Sequence, residues 1–213
     1  YGTFVHYVLE HILRDRSWQV EDGQGGWTWD PKEVRARIRA IMDRYIAEEL
    51  GGLENKTPRF VYLFDRLLRP VAQVVENVLE ELSVSSFQPI AFELGFGTGK
   101  DLPPVELTVD GVTVSVSGFV DRLDGWVHDG RLYLRVMDYK TGRKSFDLTE
   151  IWNGLGLQML LYLFTLEGKG ESLYNYAVTP AGVLYLPARA AVVQGSRSMD
   201  EQERKKRMDA ELR

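Results

Sequence analysis

Apolar residues Phe4, Val5, Val8, Leu9, Ile12 and Leu13 return at helical spacing behind Thr3, a capping residue type, so the chain opens in an amphipathic helix. Residues 17–30 lose the period and are rich in Gly and Trp. Asp30-Pro31, a cap followed by a first-turn proline, starts a second helix with Val34, Ile38, Ile41, Met42, Tyr45 and Ile46 on its stripe, and Gly51-Gly52 stops it. Thr57-Pro58 opens a third helix, predicted to run to residue 82 with Phe60, Phe64, Leu67, Val71, Val74, Val78 and Leu82 inward and a kink at Pro70. The pattern therefore predicts an all-helical segment over residues 1–85.

Beyond it the period falls to two. Residues 90–96, 105–109, 112–127 and 132–139 read as strands of an antiparallel meander, with turns at Asp110-Gly111 and Asp129-Gly130. Residues 149–166 read as a helix that is apolar nearly all round, suited to packing on a sheet. Two more strands, 173–178 and 183–186, flank Pro180-Ala181-Gly182. From Ser196 the chain, which includes Arg204-Lys205-Lys206-Arg207, is polar on every face and reads as a solvated helix or a linker. The expected organisation is one domain over 1–195, helical over 1–85 and sheet plus helix over 86–195, followed by a charged tail over 196–213.

Composition narrows the function classes. The 213 residues are 44% hydrophobic, enough for a core without staples, and contain no cysteine, which excludes a disulfide scaffold and leaves a structural zinc site without its usual ligands. A net charge of −5 argues against blanket attraction to nucleic acid or to an anionic membrane, so a polyanion must be gripped locally. No apolar run approaches the roughly 20 residues of a membrane span, and the start is not a cleavable leader; the expectation is a soluble, cytoplasmic protein. The start without Met and the charged last residues read as cut ends of a longer chain.

The candidate chemistry lies at strand ends. In Leu132-Tyr133-Leu134-Arg135-Val136-Met137-Asp138-Tyr139-Lys140, alternation puts Leu132, Leu134, Val136, Asp138 and Lys140 on one face, so an apolar row ends in a carboxylate and an ammonium. The preceding strand ends its apolar run in Asp121. Pairing through the 128–130 turn would bring Asp121 towards Asp138, and two neighbouring carboxylates repel unless a divalent cation such as Mg²⁺ lies between them. Acid-x-Lys also occurs at Asp30, Glu54, Glu167 and Glu203, but only the Asp138 copy follows an apolar strand and has an acid ending the strand before it. The plain alternative is a charged hairpin end with a surface ion pair. Arg122, Arg131, Arg135, Arg143 and Lys144 concentrate positive charge around these strands.

These residues resemble the PD-(D/E)xK nucleases, in particular their RecB-like branch. Gly2-Thr3-Phe4-Val5-His6-Tyr7-Val8-Leu9-Glu10 is similar to the opening G-x-x-x-H-x-x-L-E helix of that branch, and Gly118-Phe119-Val120-Asp121-Arg122-Leu123-Asp124 to its G-x-x-D-R-x-D strand. Asp138-Tyr139-Lys140-Thr141-Gly142 resembles the D-Y-K-T element, and Gln158 with Tyr162 the Q-x-x-x-Y helix. Phe92-Glu93-Leu94-Gly95-Phe96-Gly97, with Leu102-Pro103-Pro104, is most similar to AddB-type nuclease domains.

The resemblance implies an α/β fold with a restriction-endonuclease-like core, a mixed central sheet flanked by helices, and an N-terminal all-helical segment. It implies a Mg²⁺-dependent DNA exonuclease, with Mn²⁺ as an alternative ion, working on single-stranded ends beside an AddA-type helicase–nuclease partner in double-strand break repair. His6, Asp121 and Asp138 would ligate the metal, with the Tyr139 carbonyl as a further ligand, and Lys140 would orient or activate the attacking water. Gln158 and Tyr162 would help hold the substrate strand and the site, although spacing alone reads them as a capped amide and a core aromatic. Glu93 is either a support behind the ligands or a solvent-edge carboxylate, and Arg122 with Asp124 an orienting ion pair. AddB-type domains carry an iron–sulfur cluster on four cysteines, and this chain has none.

Other signals point elsewhere. Gly95-Phe96-Gly97-Thr98-Gly99-Lys100-Asp101 is not a phosphate loop, because Leu94 stands where the first Gly is needed and Asp101 replaces the Ser/Thr. Asn55-Lys56-Thr57 fits a glycosylation sequon, but Thr57 is better used as a helix cap. Trp18, Trp27 and Trp29 are expected to pack on one another rather than on bases. The rival functions are a nuclease fold that only binds DNA or braces a complex, and a general metal-dependent phosphodiesterase.

Overall fold

The computed structural model describes residues 2–142, 147–189 and 199–212, and these divide into two compact units, 1–83 with 140–143 and 187–213, and 84–139 with 144–186. The first unit is mainly helical. Helix α1 (Gly2–Arg14) buries the six apolar residues of its stripe, and α2 (Pro31–Glu48) buries Val34, Ile38 and Met42; its cap, Asp30, accepts the Lys32 N–H. Residues 19–29 are not helical: β1 (Gln19–Glu21) and β2 (Trp27–Trp29) form an antiparallel ribbon whose turn is held by Asp22 Oδ1 accepting from the Gln24 and Gly26 N–H groups. Trp18 is buried edge-on to Trp27, with its Nε1 donating to the Ile12 carbonyl, as the aromatic clustering predicted.

The single long helix expected from residue 57 is two, α3 (Pro58–Asp65) and α4 (Leu68–Ser83). Pro70 has no N–H to offer the Arg66 carbonyl and its ring crowds that carbonyl, so the chain breaks one turn upstream of the proline and restarts. Phe60 is 37% exposed, while Phe64 is buried, stacked on Tyr45 and tilted against Phe4. The charged end is helix α8 (Glu201–Leu212), which places Lys205 by Glu80 and Arg189 by Glu211.

The second unit holds a four-stranded mixed sheet in the order β3-β6-β7-β8. Its strands are β3 (Gln88–Phe96), β6 (Gly118–His128), β7 (Arg131–Lys140) and β8 (Ala177–Pro187). β3 and β7 run antiparallel to β6, and the Asp129-Gly130 turn joins β6 to β7 with both residues at positive φ. β8 runs parallel to β7. Arg131 Nε donates to Thr179 Oγ1 near the start of both strands, and the Ala188 N–H donates to the Lys140 carbonyl at their ends.

Three expectations about this half change. The meander is not in chain order, because the predicted strand 112–127 breaks at Ser117: β4 (Val105–Val109) and β5 (Val112–Val116) form a separate hairpin, and β6 returns to pair with β3. The helix predicted over 149–166 is α5 (Leu148–Trp152) and α6 (Gln158–Lys169), parted at Gly154 and Gly156, both with positive φ that an α-helix cannot contain. Residues 171–174 are a helical turn, α7 (Glu171–Tyr174), and β8 runs unbroken through Pro180, which an edge strand tolerates because one side needs no donor. Met159, Tyr162, Leu163 and Leu166 of α6 pack with Leu94, Val120, Leu123, Leu134 and Val136 into the core on one face of the sheet. No described helix is long and apolar enough to cross a membrane.

Candidate metal centre

The alternation of sides fails at the same level in two neighbouring strands. Ala91 and Leu94 both pack on the α6-facing core although three positions apart, and so do Val120 and Leu123 directly across from them. A regular strand would send one of each pair to the opposite side. The interruption is centred on Glu93, whose φ is +49°; among the described residues the other non-glycine positions with positive φ, Asp110, Asp129 and Asn175, occupy turns or a helix end. Holding a non-glycine residue this way inside a strand costs about 1–3 kcal/mol and persists only where the surroundings impose it. The result sets the Glu93 and Asp121 carboxylates side by side, with one oxygen of each within 4.8 Å of the other.

Asp121 is tied to the next strand as well. The β6–β7 ladder runs from His128↔Arg131 to Arg122↔Met137, and past it Asp121 Oδ2 accepts the Tyr139 N–H at 2.8 Å. Asp138 immediately precedes that N–H and Lys140 follows it, both half-buried. The sequence reading paired Asp121 with Asp138 and left Glu93 between two roles; the structure sets Glu93 beside Asp121. Glu93 lies across from Asp121 in the β3–β6 pairing with a left-handed backbone, and no residue type in the sequence announces that conformation.

Beneath the acids lies a buried ionic cluster. Arg122 and Asp124 are both fully buried, joined by Arg122 Nε to Asp124 Oδ1 at 2.7 Å and Nη2 to Oδ2 at 2.9 Å, and Arg135 adds a bond to Asp124 Oδ2 at 2.9 Å. Arg122 Nη1 also donates to the Tyr139 hydroxyl at 3.0 Å. Burial pushes the Tyr139 pKa up to about 12 against the opposing pull of Arg122. The Arg122–Asp124 ion pair stands as the sequence suggests, but Arg122 and Arg135 turn their charge to Asp124 inside the fold and drop out of the positive surface expected around these strands. Arg143 and Lys144 lie outside the described residues.

Gln158 and Tyr162, one turn apart on α6, are joined by Gln158 Nε2 donating to the Tyr162 hydroxyl at 2.8 Å. They press against Gly118. A β-carbon there would run into the Tyr162 hydroxyl and come within 3.0 Å of Gln158 Nε2, which explains the glycine that opens β6. Tyr162 is buried and stacks on Phe96 with centroids 4.4 Å apart.

His6 sits half-buried on α1 in the helical unit. In that unit a β-carbon on Gly2 would lie 3.6 Å from Thr141 Cγ2, so the face of α1 that carries Gly2, and His6 one turn on, is turned toward the segment that follows Lys140.

Two adjacent carboxylates offer only hard oxygens, and Mg²⁺ takes such ligands at about 2.1 Å with water filling its remaining positions, so the donor set fits that class of ion. With no cysteine, the chain supplies no ligand to an iron–sulfur cluster.

Against known proteins, the profile of the PD-(D/E)XK nuclease superfamily matches residues 1–213. The chain is 34% identical over 206 residues to a B-type subunit of the ATP-dependent helicase/deoxyribonuclease of Clostridium novyi (strain NT), covering 95% of this chain and 18% of that protein. It is 33% identical over 216 residues to the protein of the same name from Acetivibrio thermocellus, and 31% over 217 residues to that from Clostridioides difficile (strain 630); each match covers 100% of this chain and 18% of the relative. The chain thus spans under a fifth of the length of the relatives it matches.

Proposed function

Because the chain belongs to the PD-(D/E)XK nuclease superfamily, we propose that it is the Mg²⁺-dependent exonuclease domain of an AddB-type protein, working in the cytoplasm on single-stranded DNA ends delivered by an AddA-type helicase partner. The names of its relatives, helicase/deoxyribonuclease subunits, support the substrate and the setting. The observation that carries the reading is the meeting of Glu93 and Asp121 at a backbone distortion shared by two strands, one hydrogen bond away from Asp138-Tyr139-Lys140.

In this reading Asp121, Asp138 and His6 hold the ion, Glu93 joins them, and the Tyr139 carbonyl is a further ligand. A bound divalent ion supplies Lewis acidity and a water of lowered pKa. Lys140 orients the attacking water and places its ammonium where negative charge grows on the phosphorane, and the phosphodiester is cleaved by in-line hydrolysis without a covalent intermediate. Gln158, exposed at the start of α6, meets the strand end, and the buried Tyr162 hydroxyl holds its amide in place. The Arg122–Asp124 pair fixes the strand that carries Asp121, and Arg143, outside the described residues, is assigned to the substrate backbone.

The test pairs Mn²⁺ calorimetry with cleavage of end-labelled single-stranded DNA in Mg²⁺. Asp121→Asn and Asp138→Ala should lose both metal affinity and cleavage, whereas Lys140→Gln should keep the metal and lose about 100-fold or more in rate. Cleavage that survives Asp138→Ala sinks the assignment of the site. DNA binding without cleavage by the wild type would leave a binding or bracing module.

A further inference from the structure

The loop after β3 has the look of a phosphate cradle but lacks its chemistry, because its donors are spent internally. The Gly97 N–H donates to the Leu102 carbonyl, the Leu102 N–H to the Gly95 carbonyl and the Lys100 N–H to the Gly97 carbonyl. The Gly95 N–H donates to the Asp101 carboxylate at 2.8 Å. A nest of free N–H groups, which a nucleoside triphosphate needs, is not on offer at those positions.

The glycines do something else. A β-carbon at Gly95 would lie 3.1 Å from Phe119 Cε1 and 3.2 Å from Lys100 Cβ and Cδ, and one at Gly97 would lie 3.4 Å from Lys100 Cγ. The bare backbone therefore seats the aliphatic stem of Lys100 against Phe119, with Nζ 4.6 Å from the ring centroid. The neighbouring Asp101 carboxylate is turned to the Gly95 N–H, and among the described residues no ion pair engages Lys100.

This pair stands in line with the acids. Phe119 is opposite Gly95 in the β3–β6 register, two residues from Asp121 on one strand and from Glu93 on the other, a distance of roughly 7 Å that one nucleotide spans. Phe119 is 49% exposed although its neighbour Val120 is 2% exposed. An exposed ring next to a positioned cation, in a chain of net charge −5, matches the way single strands are held: bases stack on aromatic faces and phosphates meet cations, without regard to sequence.

We propose that Phe119 and Lys100 form a docking subsite for a single polynucleotide strand beside the Glu93–Asp121 centre, with a base against the ring and its phosphate on the ammonium. The subsite deepens the nuclease reading and rests on it for its role, since it sets the nucleotide next to the one to be cleaved.

The experiment measures the affinity of the intact protein for a fluorescent oligo-dT in chelator, as a function of salt. Phe119→Leu should weaken binding about 5- to 20-fold, within the range measured for a stacked base, and Phe119→Trp should restore it. Lys100→Gln should lower the slope of log K against log salt by about 0.7, and Lys100→Arg should hold it. In Mg²⁺, Phe119→Leu should raise KM for the oligonucleotide more than it lowers kcat. Affinities of Phe119→Leu and Lys100→Gln that both stay within twofold of wild type overturn the subsite. Mn²⁺ calorimetry separates the two readings: wild-type protein that binds no Mn²⁺ defeats the metal centre, while the oligonucleotide affinities, taken without metal, still decide the subsite.

Discussion

Asp121 accepts the backbone N–H of Tyr139 through Oδ2 at 2.8 Å, so the carboxylate that meets Glu93 also closes the end of the β6–β7 pairing. The two duties separate by substitution. Asp121→Asn keeps a carbonyl oxygen for the Tyr139 N–H and should unfold in urea close to wild type. Asp121→Ala strands that N–H and should lose about 1–3 kcal/mol. Both should fail to bind Mn²⁺ by calorimetry, and equal urea midpoints for the two variants would show that the hydrogen bond contributes nothing.

Gly118 is required by what α6 lays against it. Gly118→Ala drives a β-carbon into the Tyr162 hydroxyl, and Tyr162 is buried against Phe96 with little room to retreat. The variant should be less stable by about 1–3 kcal/mol, the usual cost of overpacking. Gly118→Ala combined with Tyr162→Phe should recover part of that loss, which thermal melts of the single and double variants will report.

The buried Arg122–Asp124 pair should behave asymmetrically. Removing Asp124 leaves two guanidinium groups, Arg122 and Arg135, without their shared carboxylate, and Asp124→Ala should cost about 3–5 kcal/mol in denaturant unfolding. Replacing both Arg122 and Asp124 by apolar residues of similar volume should cost less than Asp124→Ala alone. A double variant as damaged as the single one would mean that the ions stabilise the fold outright.

Tyr174 gives a pH signature. Burial first, and then the nearby Asp101 charge, hold its pKa above the ordinary tyrosine value. A phenol whose folded pKa exceeds its unfolded value of about 10 contributes stability that is complete below pH 10 and is lost as pH rises through the folded value. The melting temperature of wild type should therefore fall relative to Tyr174→Phe above pH 10, with a constant difference below it. A difference that stays flat across pH 9–12 would remove the effect.

Much of the fold was written in local patterns. The stripe from Phe4 to Leu13, the caps at Asp30 and Thr57 and the Asp-Gly turns at 110 and 129 each rest on neighbours in the chain, and each appears where its chemistry put it. Contacts distant in sequence decided the rest. The strand predicted through 117 breaks there because β6 pairs with β3, and the helix predicted through 154 breaks because two glycines take up left-handed turns. The candidate site divides the same way. Asp121, Asp138 and Lys140 could be picked out as charges ending apolar rows, whereas the closeness of Glu93 to Asp121 depends on a backbone twist that only the paired strands impose. Arg122 divides too: its pairing with Asp124 could be read from their spacing, whereas its complete burial could not, because both sides of that strand are covered.

The β4–β5 hairpin leaves the sheet after β3 and is back before β6, anchored by Val105 while Val112 and Val114 look outward. Its tip, Asp110-Gly111, bears no load from the main ladder. Lengthening a loop costs only about 0.6 kcal/mol per doubling, so a fluorescent reporter or an affinity handle spliced between those two residues should leave β3 and β6 joined. That offers a place to watch the protein at work on a strand while its termini stay untouched.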